Sequence, residues 1–201
     1  MIDPAKRILW AACAVCGLVP AIAGAEGQVP GATPQQQAAM EAQARVGAPG
    51  APHAGLAASA GSYDIMIRSW RSPAEPPTED AGTATRKMIL DGRVLVEMMN
   101  ATLMGRPYTG HEMSGYDNAT GEYWTTWMDN NSTGLMVFRG SCDAAGACSL
   151  SGSWQDPATK RSVTARMTTR WTSPGTQLFE MFGPGRDGKE VKALEIVYTK
   201  K

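Results

Sequence analysis

The chain has 201 residues, with 19 basic and 19 acidic side chains and a formal net charge of zero. No basic run interrupts that balance, which excludes the electrostatic footprint of a nucleic-acid-binding protein. Beyond the N-terminus no apolar segment reaches the roughly 20 residues of a membrane helix, so no stable membrane span is expected in the mature chain.

The N-terminus carries Lys6 and Arg7, then the apolar run from Ile8 to Val19, then the small-residue stretch Ala23-Gly24-Ala25. A charged start, a short greasy core and small residues at the exit describe a secretory signal peptide over residues 1–25. The mature protein is therefore expected to be periplasmic or secreted. Cys13 and Cys16 would leave with the signal, so the mature chain keeps only Cys142 and Cys148.

Residues 26–58 are built from Ala, Gly, Pro and Gln without an aromatic residue. Such a composition buries too little apolar surface to offset chain entropy, and the segment reads as a disordered linker. Gln35–Arg45 has the composition of a marginal helix.

From residue 59 to the end nearly every segment carries strand signals, and residues 59–201 read as one domain. The predicted strands are Gly61–Trp70, Thr83–Leu90, Arg93–Met104, Tyr108–Tyr116, Glu122–Asp129, Leu135–Ser141, Cys148–Gln155, Arg161–Ser173, Thr176–Phe182 and Lys189–Thr199. Asp91-Gly92 is a strong hairpin signal, and Asp117 to Gly121 forms a second turn sequence. About ten strands joined by short connectors imply antiparallel neighbours, hence an all-β up-and-down barrel. Alternation fits: Val163, Ala165, Met167 and Trp171 share one face, and Thr164, Arg166, Thr168 and Arg170 the other. In the last strand, Leu194, Ile196 and Tyr198 are expected to share a face with Lys192.

Cys142 and Cys148 flank the turn residues Asp143 to Ala147. Opposed cysteines on a hairpin of an exported chain are expected to form a structural disulfide.

The stretch Gly115-Tyr116-Asp117-Asn118-x-Thr120-Gly121-x-Tyr123-x-x-Thr126-Trp127-x-Asp129-x-x-Ser132-Thr133-Gly134 resembles the hallmark of a bacterial family, domain of unknown function 1579. The likeness extends through Gly140 to Asp143 and into the ending Gly188 to Lys200, covering about residues 59–201. It implies a calycin-like barrel similar to the lipocalin and fatty-acid-binding group, and brings no reaction or catalytic residues. Gly61-Ser62-Tyr63 stands where lipocalins begin with Gly-x-Trp.

A barrel of this size encloses either a filled core or a cavity for one small ligand. Ten of the twelve methionines follow residue 59 but are scattered along the strands. Soft-metal sites cluster their thioethers, so these methionines read as adaptable core or pocket lining. His111, the domain's single histidine, cannot build a His-rich zinc centre, and no cofactor or metal is expected. The candidate ligand-contacting residues are His111, Met113, Tyr123, Trp127 and Arg166. Arg166 and Arg170 hold a carboxylate or phosphate head if their face is interior, and form a solvated stripe if it is exterior. No Gly-x-Ser-x-Gly elbow occurs, and no catalytic residue is assigned. The expected function is binding of a small apolar or amphipathic molecule. The competing readings are an enzyme acting on a lipid-like molecule, with His111 and Glu112 as its acid/base pair, and an envelope interaction protein with a filled core.

Overall fold

The computed structural model describes residues 31–156, 159–185 and 187–201. The signal peptide expected over residues 1–25 lies outside the described residues. The chain divides into two compact units, residues 1–42 and 43–201. The first opens helix α1 (Pro34–Gly47), which buries none of its residues. A second helix, α2 (Ala51–Ala58), follows Gly50. The segment read from its composition as a linker is thus helical over both spans. Pro52 is pre-set for the first helical turn, and the Nδ1 of His53 accepts a hydrogen bond from the Gly50 backbone N–H at 3.0 Å.

Ten strands follow: β1 (Gly61–Ser69), β2 (Thr78–Ile89), β3 (Val94–Leu103), β4 (Arg106–Asp117), β5 (Glu122–Asp129), β6 (Met136–Cys142), β7 (Cys148–Gln155), β8 (Ser162–Ser173), β9 (Thr176–Pro184) and β10 (Glu190–Lys200). Each pairs antiparallel with its sequence neighbours, and β1 also pairs with β10, which closes the barrel and leaves no sheet edge. The all-β up-and-down barrel expected from the alternation is the fold observed. β2 begins at Thr78 rather than Thr83, because its polar start pairs along β1 as far as Ser69.

Period-two alternation decides which side chains turn inward. Tyr63, Ile65 and Ile67 of β1 pack against Ala84, Met99, Ile196 and Tyr198. Phe138, Leu150, Ala165 and Met167 form a second apolar cluster across β6, β7 and β8. Each of the Ile, Leu, Met and Phe side chains among them, fully buried, contributes roughly 1.5–3 kcal/mol. β10 departs from the expected faces. A bulge between Lys192 and Leu194 shifts its register against β9, so Lys192 leaves the face of Leu194, Ile196 and Tyr198. It reaches outward to Glu180 and Glu195 instead.

One end of the barrel carries α2 and the turns after β2, β4, β6 and β8. There the C-terminal end of α1 is tied down: Asn118 Nδ2 donates to the carbonyls of Val46 and Ala48, and Arg93 Nε to that of Gly47. Cys142 and Cys148 pair directly across the β6–β7 hairpin and form a disulfide, with Cα atoms 3.9 Å apart. Replacing both by Ser should lower unfolding free energy by about 2 kcal/mol on loop-entropy grounds, read from the urea midpoint.

Candidate functional site

The lumen is not filled. Near α2 lies a chamber of about 130 Å³, roofed by Gly55, Leu56 and Ser59 and walled by Arg86, Ser114, Tyr123, Thr169, Gln177 and the disulfide. Toward the other end lies a second chamber of about 230 Å³, lined by Ile67, Met99, Leu103, Tyr108, Trp127, Met136, Phe138, Met181, Leu194 and Ile196. Glu112, Thr125, Met167, Phe179 and Tyr198 border both chambers and form the neck between them. The first chamber mixes polar groups into a largely apolar lining, and the second is overwhelmingly apolar.

The polar residues of the first chamber are contributed by strands far apart in sequence. Arg86 of β2 and Glu97 of β3 are register partners. Arg86 Nε donates to Glu97 Oε2 at 2.5 Å, and its Nη1 donates to Gln177 Oε1 at 2.6 Å. The guanidinium lies against two rings, 4.2 Å from the centroid of Tyr198 and 5.0 Å from that of Tyr63. Tyr198 donates its hydroxyl to Glu97 Oε1 at 3.1 Å. Glu97 is 0% exposed; an ion pair so enclosed persists because its remaining lone pairs and protons are also satisfied. Burial works against the Arg86 charge, but the Glu97 carboxylate outweighs it and holds the guanidinium above its ordinary pKa. Burial first, then Glu97, pushes the Tyr198 hydroxyl well up.

Glu112 of β4 stands opposite Glu97 in the β3–β4 register. Arg86 is ion-paired to Glu97 and acts on Glu112 only through its field. Ser114 Oγ donates to Glu112 Oε1 at 2.5 Å and lies 2.8 Å from Thr125 Oγ1. Glu112 is part-buried and borders both chambers. Burial and the Glu97 carboxylate raise its pKa above the ordinary carboxylate value, against the opposing pull of Arg86.

At the far end Trp127 Nε1 and the Tyr108 hydroxyl both donate to Asp129 Oδ2 at 3.0 Å. The Trp127 ring lies across Gly110, where an added Cβ would sit 2.2 Å from the indole. Burial, then the Asp129 charge, raises the Tyr108 pKa. Near α2, the ring of His53 meets Tyr116 edge-on, with centroids 6.0 Å apart.

The residues proposed from sequence separate into two faces. Tyr123 and Trp127 face the lumen, one on each chamber. His111 lies on the outer face, in register between Met98 and Met128, which are 44% and 39% exposed. Met113 shares that face by parity. Arg166 is also external: its Nε and Nη2 grip the two oxygens of Glu190 at 3.0 and 2.7 Å, and its guanidinium covers the Phe182 ring. His111 and Glu112, adjacent in a strand, point to opposite faces and do not form an acid/base pair. Sequence reasoning missed Arg86, Ser114, Thr125 and Gln177, and named Glu112 only as an acid/base partner of His111. The parity of Tyr108, Gly110, Glu112 and Ser114 in β4 was the available signal for the two β4 residues. Among the described residues no three His, Cys, Asp or Glu side chains converge as a metal set, and no helix is long and apolar enough to cross a membrane.

These geometries give stability a pH dependence with opposite signs on its two flanks. Glu112 has a raised folded pKa, so its contribution is complete below the ordinary carboxylate value and is lost as pH climbs through the elevated one. Glu195 and Glu190 are held low, chiefly by Lys192 and Arg166 respectively. Their contribution is present above the ordinary carboxylate pKa and is lost as pH falls through the depressed values. Urea midpoints measured across pH should fall on both sides, and Glu112→Gln should flatten the upper flank alone.

Residues 48–200 match the model of a family described as a protein of unknown function, DUF1579. No curated protein sequence matches the chain.

Proposed function

The chain belongs to the DUF1579 family, and from that premise and the divided lumen we propose that it is an exported, non-enzymatic binding protein for a small amphipathic molecule. The apolar part of the ligand occupies the larger chamber and its polar end meets Glu112, Ser114 and Thr125 at the neck. The observation that carries this reading is the lumen itself: about 230 Å³ of space walled by Met, Phe, Ile and Trp, opening onto a few converging polar groups. Thioether side chains suit such a wall because they repack around varied shapes at little cost. Export agrees with the N-terminal signal pattern, and an oxidising compartment agrees with the Cys142–Cys148 disulfide.

Two experiments test the reading. Native mass spectrometry of the protein purified from its host should reveal a bound small molecule that organic extraction releases. Met136→Trp, which fills the apolar chamber, should abolish binding of a neutral solvatochromic dye while leaving the far-ultraviolet spectrum unchanged. Dye binding that survives this substitution would remove the lumen from consideration.

A further inference from the structure

We propose that the lumen takes an uncharged amphipath, whose hydroxyl or carbonyl oxygen accepts a hydrogen bond from Glu112, and discriminates against the carboxylate form of a comparable chain. This rests on the lumen being the binding site. It goes further by naming the polar end that the neck admits.

Three charged residues border the two chambers: Arg86, Glu112 and Asp129. Glu97 stands directly behind them, with no exposed surface. Asp129 is occupied by Tyr108 and Trp127 at the far end. Arg86 is the cation that an anionic head would seek, and it is already engaged by Glu97, by Gln177 and by two aromatic faces. Around the neck the charges therefore sum to zero when Glu97 is ionised and Glu112 holds its proton. An incoming carboxylate would leave an uncompensated negative charge in a space removed from water, which is costly. An uncharged head adds none.

Glu112 is suited to be the donor. For two carboxyl groups abreast on neighbouring strands, with one nearby cation paired to the first, a second negative charge is disfavoured. Glu97 is the one ion-paired to Arg86, which leaves the proton on Glu112. Ser114 donates to Glu112 Oε1, and the carboxyl borders both chambers, where its proton meets an incoming oxygen. The groups facing Glu112 are Arg86 from β2, Glu97 from β3, Thr125 and Trp127 from β5, Met167 from β8, Gln177 and Phe179 from β9, and Tyr198 from β10. Of these, Glu97 raises its proton affinity and Arg86 lowers it. A chamber of about 230 Å³ corresponds to the bulk volume of about seven or eight waters, which limits the ligand to a short chain or a small ring system.

The test uses the full chain, a neutral solvatochromic dye as reporter, and octan-1-ol, octanoate and octylamine as competitors. At neutral pH octan-1-ol should displace the dye at a concentration about tenfold or more below that of octanoate. Its advantage should shrink as pH rises above neutral and Glu112 loses its proton. Glu112→Gln, whose amide still donates, should keep octan-1-ol binding and remove its pH dependence. Glu112→Leu should lose the preference for the alcohol. Octanoate binding as well as or better than the alcohol overturns the inference. So does octylamine binding best, because an ammonium head would then be pairing with an ionised Glu112. Failure of the dye to bind at any pH defeats the lumen reading itself, and is distinguishable from either result.

Discussion

Arg86→Met should lower the unfolding free energy of the barrel by about 3–5 kcal/mol, the cost of removing one partner from an enclosed ion pair. The substitution keeps an unbranched apolar stem but shortens the side chain and strips Glu97 of its counter-ion. Glu97 and Glu112 would then face each other across the β3–β4 register with no cation, and Gln177 would lose the donor that its amide oxygen accepts. The loss should therefore depend on pH in a particular sense. Without Arg86 the charge that lowers the Glu112 pKa is gone and burial pushes it up unopposed by that cation, so stability should recover as the solution is acidified. A second variant separates this from loss of packing. Arg86→Met with Glu97→Leu removes both charges together, and an apolar replacement of an enclosed pair is often neutral or better. It should regain most of the difference, less the hydrogen bond that Tyr198 gives to Glu97. Urea denaturation followed by tryptophan emission measures all three proteins. A cost below about 1 kcal/mol for the single substitution would mean that water reaches the pair and screens it.

That cluster also marks where the amino-acid sequence speaks and where it is silent. Counting outward from the Asp91-Gly92 turn places Arg86 opposite Glu97, so their pairing was legible once the hairpin was accepted. The β8 faces were legible for a similar reason, since alternation alone separates Val163, Ala165 and Met167 from Arg166. Gln177 and Tyr198 were not, because their approach to Arg86 depends on closure of the barrel by β1 and β10. No local pattern reports that closure. Lys192 escaped for a different reason: a one-residue bulge reverses parity, and nothing in the sequence Val191-Lys192-Ala193-Leu194 announces it. Helix α2 was hidden by its composition. It needs only His53 against Tyr116, and Gly55 and Leu56 over the lumen, to close one end of the barrel. The aromatic motif was the converse case. Its spacing revealed a turn and two strands, and its parity put Tyr123 and Trp127 on one face, but which face was inward depended on the partners that β4 supplies.

Those partners make a second large effect expected. Gly110→Val should cost about 3 kcal/mol, from overpacking and from broken polar contacts around Trp127. Gly110 faces the lumen beneath the Trp127 indole, and a Cβ there would lie 2.2 Å from the ring. The neighbouring atom is a rigid indole carbon, not the tip of a flexible chain, so the ring itself must shift. Moving it breaks the bond from Trp127 Nε1 to Asp129 at 3.0 Å and unseats the stacking with Tyr108, centroids 6.4 Å apart. Asp129 would then keep the Tyr108 hydroxyl and the Asn131 backbone N–H. Valine favours extended backbone, so strand propensity works against the predicted loss and cannot produce it. The decisive measurement is a double-mutant cycle. In a Trp127→Leu background the indole is gone and the added methyl groups have room, so Gly110→Val should cost at least about 1 kcal/mol less there. Equal costs in both backgrounds would place the clash elsewhere along β4. Because Trp127 walls the apolar chamber, the same substitution should weaken dye binding even where the protein stays folded, tying the packing of one glycine to the capacity of the lumen.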